Sequence, residues 1–321
     1  MGMATVEERS DCFRRAISKD GFVSVKAVDC TRLVSEVCRR QECRTLAATA
    51  LGRALASVLL IADGVDDDET FQVRFEGDGP LRGLLALSNG RLEARGYVGN
   101  PKIALEGCSV GAAVGKGQLK VVRLNNLPGE ERASPFSSIV DIQSGEIAED
   151  VNHYVATSEQ REGALAAGVA VSEDDESVTA AGGWRIELLP GAPDHIADKV
   201  VQNVDAVIAG GLSTSEMLLR GLTVDDVLRL LLADIEHDIL LPSQGQLEAT
   251  PKFVCTCSDD RVFRTLALLP REEVRDIVNT NDKIEARCEF CCTLYTLSPE
   301  AITKHLEDLD NKKKDEEAID K

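Results

Sequence analysis

Cys255-Thr-Cys257, thirty intervening residues, then Cys288-Glu-Phe-Cys291: the reading of this stretch decides how the C-terminal part of the chain folds. Two close cysteine pairs separated by a folded insert are what a tetrahedral zinc site requires. Each pair supplies two thiolates from one knuckle, and the insert brings the knuckles together. Cys255 and Cys257 have one residue between them, where most structural sites have two. So tight a pair can also close on itself as a small strained disulfide, and strained disulfides tend to be labile or regulatory. The stretch therefore reads both as a zinc clip and as a redox switch. The plainer alternatives are a purely structural zinc knuckle and four scattered core cysteines. The second fits poorly, because no other cysteine falls between the two pairs.

Composition narrows the rest. A chain of 321 residues that is 43% hydrophobic can bury a sizeable core over two or three domains. Its formal net charge of −19 argues against a nucleic-acid surface, which draws on clustered Lys and Arg. No run approaches the roughly 18 uninterrupted apolar residues of a membrane span. Met1 to Asp11 is charged, with Glu7, Glu8 and Asp11 early, unlike a secretory signal or a transit peptide. The expectation is a cytoplasmic protein without nucleic-acid or membrane partners. Its ten cysteines would then be free thiols or metal ligands.

Hydrophobic periodicity and turn residues organise the chain. A strand is expected at Phe22 to Val28, then a helical tract from a cap at Asp29 or Thr31 to about Ala62. Cys38 and Cys43 lie on that tract as small buried or half-buried thiols. Strand-like runs follow at Thr70 to Glu76, Leu81 to Ala86, Arg91 to Val98 and Leu119 to Leu124. A helix is expected over Ser144 to Glu159. Further strands are expected at Val169 to Val171, Ser177 to Ala180 and Trp184 to Leu189, with Ser172 to Glu176 as an acidic turn. This is an α+β pattern with largely antiparallel strands over residues 1–190. Pro190-Gly-Ala-Pro193 marks a boundary. Residues 191–247 carry helical stripes from Asp194 to about Leu241. The cysteine module spans 248–309, and 310–321 is a mixed-charge tail read as disordered.

Other motifs are empty. Gly111-Ala-Ala-Val-Gly115-Lys116-Gly117 lacks the Ser or Thr after the lysine and the upstream glycine of a phosphate loop. His153, His195, His237 and His305 show no ligand or triad spacing. No Gly-x-Ser-x-Gly elbow is present. No enzyme site is expected.

On these residues the chain resembles the heat-shock protein 33 family, redox-regulated holdase chaperones. Phe253-Val-Cys255-Thr-Cys257-Ser258, Cys288-Glu-Phe-Cys291 and Tyr295 carry the resemblance in the cysteine module. Upstream it continues through Gly21 to Asp29, Ala50 to Leu55, Glu76-Gly-Asp-Gly-Pro80, Gly96 to Pro101 and Val114-Gly-Lys-Gly117. Ser144 to Asp150, Ser158-Glu-Gln160, Ala181-Gly-Gly183 and Leu188-Leu-Pro190 complete it, so that it spans roughly residues 11–309. The chain departs from the family pattern at Arg161-Glu162, at Cys292 beside the second pair, and in the extra thiols Cys12, Cys30, Cys38, Cys43 and Cys108.

The resemblance implies an N-terminal α/β domain, a helical linker folded over it and a small zinc domain. It implies an ATP-independent holdase rather than an enzyme. In the reduced, inactive form one zinc ion per chain would sit on Cys255, Cys257, Cys288 and Cys291. Oxidation to Cys255–Cys257 and Cys288–Cys291 disulfides would release zinc, unfold the linker and expose client-binding surface under oxidative stress. Unfolded or partly folded proteins would be the partners, with a homodimer in the oxidised form and hand-over to a 70-kDa heat-shock chaperone system. Two other classes compete: a thiol–disulfide oxidoreductase using Cys288 and Cys291, and a zinc-ribbon binding module.

Overall fold

Cys12–Ser18 (β1) and Val23–Asp29 (β2) alternate deeply and partly buried residues and pair antiparallel, from Cys12 opposite Asp29 to Ile17 opposite Ser24. They open a computed structural model that describes residues 9–67, 69–104, 107–125, 136–240, 250–280 and 283–305. The chain forms two units, Met1–Val254 and Cys255–Lys321.

Past β2, the expected single helical tract is two helices, Thr31–Gln41 (α1) and Thr45–Ala62 (α2). Glu42 turns left-handed at φ 53°, and the Cys43 N–H donates to the Cys38 carbonyl at 2.9 Å. This left-handed cap ends α1 before the apolar pattern does. Cys38 and Cys43 are buried, as expected. Asp29 accepts the Thr31 N–H at 3.0 Å. A second acceptor comes from outside the helix: Asp11 takes the N–H groups of Arg32 and Leu33, both at 2.8 Å.

Burial pushes the Asp11 carboxyl up to about 6, above the roughly 3.9 of an unfolded chain. The native state therefore binds a proton first as pH falls, and the residue's contribution becomes more favourable toward acid. Relative to Asp11→Asn, the wild type should gain about 2 kcal/mol between pH 7 and pH 4.5. Denaturant titrations at the two pH values check this; parallel stabilities would remove the assignment.

α2 is apolar and buried over most of its circumference, with Thr45, Thr49 and Arg53 as a polar stripe along one side. By length and composition it could cross a membrane, but 78% of it is buried inside the protein. It runs between two sheets. One is built from Glu69–Gly77 (β3), Leu84–Asn89 (β4), Glu93–Val98 (β5), Gly117–Asn125 (β6) and Phe136–Asp141 (β7), with the short helix Val110–Val114 (α3) before β6. The other holds β1 and β2 with Gly163–Val171 (β8) and Val178–Leu188 (β9), after the helix Ala148–Ser158 (α4). Gly52 lies where α2 crosses β8; a Cβ there would stand 2.6 Å from Val169 Cγ2.

The far face of the β1–β2–β9–β8 sheet carries the segment expected to be helical. Asp194–Ala209 (α5), Thr214–Leu219 (α6) and Val224–Leu231 (α7) form there, α6 and α7 each starting with a capping box. Val200, Val207, Val227, Leu228 and Leu231 pack with Val23, Val25, Trp184 and Ile186 in a second core. The expectation of helix to about Leu241 fails at its end. Asp234 turns left-handed, and His237–Leu240 (β10) pairs with β1, from Ser18 opposite His237 to Arg15 opposite Leu240. Lys252–Phe253 (β11) then adds to β5 in parallel. Phe253 packs on the first core, under the Arg40 guanidinium 4.9 Å above its ring. The tail expected at 310–321 lies outside the described residues.

Candidate metal centre

Cys255 follows β11 after one residue, and Cys257 precedes Asp259–Ala267 (α8), whose Ser258 cap accepts the Arg261 N–H. Arg271–Thr280 (α9) leads to a hairpin, Ile284–Arg287 (β12) and Leu294–Leu297 (β13), paired from Ile284 opposite Leu297 to Arg287 opposite Leu294. Cys288-Glu-Phe-Cys291 fills the hairpin turn. The Cys288 N–H donates to Thr293 O at 3.0 Å, and the Cys292 N–H to Cys288 O at 2.8 Å, with Cys292 left-handed at φ 59°. The second cysteine pair is thus presented by a knuckle between strands. It does not open a helix, which is the setting a thioredoxin-like oxidoreductase needs.

All four expected cysteines come together. Cys255 and Cys288 Sγ lie 3.7 Å apart, Cys257 and Cys291 Sγ 3.3 Å apart, and the four sulfurs all fall within 4.8 Å of one another. A tetrahedron of thiolates about 2.3 Å from zinc has sulfur–sulfur edges of about 3.8 Å, so the donor set suits zinc in number, type and spacing. Cys292, although adjacent to Cys291, is not among the converging four.

Electrostatics point the same way. Burial pushes the Cys255 thiol up to about 12 and raises Cys288 too. Burial would also raise Cys291, but hydrogen bonds from the Thr293 hydroxyl and N–H outweigh it and pull the thiol down to about 6. Four thiols in one pocket cannot share the thiolate state without a cation to balance them. Two groups support the sulfurs. The Thr293 hydroxyl stands 3.1 Å from Cys291 Sγ, and the Tyr295 hydroxyl donates to Cys257 Sγ at 3.0 Å. Hydrogen bonds of this kind orient ligands. The sequence reading had Tyr295 only as part of the family pattern, with no role, and missed Thr293, whose one signal was its position just past the second pair.

Little else holds this unit together. Among its described residues Val274, Leu297 and Ile302 form the buried core, with Val262, Phe263, Leu266, Val278 and Ile284 partly buried around it.

Comparison with known proteins finds relatives along nearly the whole chain. The sequence profile described as "Hsp33 protein" matches residues 11–298. The 33 kDa chaperonin of Symbiobacterium thermophilum is 36% identical over 299 residues, covering 91% of this chain and 96% of the relative. That of Nostoc sp. is 37% identical over 306 residues, 94% of this chain and 97% of the relative. The crystal structure of the 33 kDa chaperonin (heat shock protein 33 homolog) of Thermotoga maritima superposes with a TM-score of 0.79 at 28% identity. It covers 94% of this chain and 99% of that one.

Proposed function

The chain belongs to the Hsp33 family, and from that membership we propose that it is a redox-gated, ATP-independent holdase that captures unfolding proteins under oxidative stress. The observation that carries the gate is the convergence of four thiols within 4.8 Å in a unit with almost no core of its own. Cys255, Cys257, Cys288 and Cys291 would hold one zinc ion. When bound, zinc supplies the charge that keeps all four sulfurs as thiolates, ready for an oxidant.

Each pair then closes into a disulfide, Cys255–Cys257 and Cys288–Cys291. Each bond forms from two thiolates, whose two electrons pass to hydrogen peroxide; with two protons from solvent, the peroxide leaves as two waters. With the ligands gone, the unit loses the interaction that held it folded. Val254 alone separates β11 from Cys255, so disorder passes along the chain to the linker, residues 191–247. Release of α5–α7 uncovers Val25, Trp184 and Ile186 together with the helices' own stripes. Contiguous apolar surface of this kind binds other unfolding chains. The net charge of −19 would keep such complexes soluble. The reading includes a cytoplasmic setting, a homodimer in the oxidised form and hand-over of clients to a 70-kDa heat-shock system.

Light scattering tests it. A chemically unfolded client is diluted into the protein, once reduced with zinc and once oxidised. Suppression by the oxidised form alone is expected. Equal suppression by both would remove the gate, and none by either would leave the cysteines a structural knuckle.

A further inference from the structure

Strand register lines up three cations across the sheet that supports the linker. Arg15 on β1 stands opposite Lys26 on β2, and Lys26 stands opposite Arg185 on β9. Their neighbours Ala16, Val25, Ala27, Trp184 and Ile186 face α5–α7, so alternation puts the three cations on the opposite face, the one α2 covers. Like charges directly opposite each other in a sheet are destabilising, and something must balance them.

The protein does so only in part. Asp63, the C-cap of α2, pairs with Arg15 and with Lys26, the latter at 2.9 Å. Glu187 pairs with Arg185 at 3.0 Å and with Arg161 at 2.5 Å. Glu159, the C-cap of α4, takes Arg161 and Arg123. Five cations thus meet three carboxylates. The C-termini of α2 and α4 contribute about half a negative charge each, which leaves roughly one positive charge unbalanced. Arg185 shows where. Its side chain is 2% exposed; Nη1 has only its 3.0 Å ion pair with Glu187, and Nη2 has no hydrogen-bond partner.

We infer that this end of the sheet binds a small tetrahedral oxyanion, of the phosphate or sulfate class, between Arg185 and Lys26 below and Arg161 and Arg15 at the rim. Arg161 and Arg15 are 35% and 48% exposed, so the row opens to solvent there. The bound oxyanion accepts from Arg185 Nη2, the buried nitrogen left without a partner. The site adjoins the linker-bearing strands but does not depend on the redox reading.

The test is thermal unfolding of the full-length reduced protein with inorganic phosphate or sulfate, against chloride at equal ionic strength. A saturable rise is expected, roughly 3–5 °C at about ten times the dissociation constant. Arg185→Met should still fold in chloride, because Glu187 keeps its ion pair with Arg161. It should lose the phosphate response. No rise beyond chloride in the wild type would mean that water alone satisfies Arg185, and an unchanged rise in Arg185→Met would place the anion elsewhere; either overturns the site. If the variant does not fold, calorimetric titration of the wild type decides: one phosphate per chain supports the site, and no saturable heat overturns it.

Discussion

Serine at both Cys255 and Cys257 is expected to leave the core around α2 folded, unfold the C-terminal unit, free α5–α7, and make the protein suppress client aggregation with no oxidant present. The reasoning is one of relative size. Structural zinc contributes roughly 10–16 kcal/mol of apparent binding free energy, and in small modules that is folding free energy. Val274, Leu297 and Ile302 are the fully buried core of this unit; each contributes only about 1.5–3 kcal/mol by burial. Removing two of four ligands therefore removes the larger share of what orders it. The first unit keeps its larger core, around Leu51 and Leu55, which includes no residue of α5–α7. Limited proteolysis should cut first between residues 255 and 305, and light scattering should show suppression under reducing conditions. A variant that stays inactive with α5–α7 protected would break the link between the cysteine unit and the linker.

The second large effect approaches the same linker from its other end. Leu231→Asp should free α5–α7 while zinc and all four thiols remain in place. Leu231 is fully buried in the core with Trp184, Ile186 and Val227. Truncating such a leucine costs about 2–5 kcal/mol, and burying an unpaired carboxylate adds several more. That exceeds what a surface-packed helical segment can absorb, so the helices detach instead. The core around α2 does not include Leu231 and should hold. Aggregation suppression by the reduced, zinc-loaded variant is the expected result. A variant that binds no client, although protease cuts readily within residues 194–231, would move the client surface away from the linker and the sheet beneath it.

How much of this could be read in the sequence follows from how local each feature is. Ligand chemistry fixes residue type and spacing within a few positions, so the four cysteines were legible before any fold. The stripes of α5 and α7 were legible for the same reason: a helix face repeats within one turn. The break between α1 and α2 was hidden because Glu42, not a glycine, takes the left-handed cap. β1, β7 and β10 were missed because their identity comes from partners. His237–Leu240 is a strand because β1 offers it an open edge, and Arg14-Arg15 sits in β1 without any apolar alternation to announce it. The Arg15–Lys26–Arg185 row exists only once two registers are set, beyond the reach of any sequence window. Thr293 looks like an ordinary strand residue, and Tyr295 has a place in the family pattern but no visible role, until the hairpin turns both onto the sulfurs.

The chain has a single tryptophan, and Trp184 lies in the core that α5 and α7 cover. The protein therefore carries its own optical gauge. Emission should move to longer wavelength, and quenching by a small soluble agent should rise, as soon as the indole meets water. Because no second indole contributes, the signal reports uncovering of that one patch. Followed in stopped flow after peroxide addition, alongside a colorimetric zinc indicator, it would time the two events separately and show whether the cover lifts with the metal's departure or lags behind it.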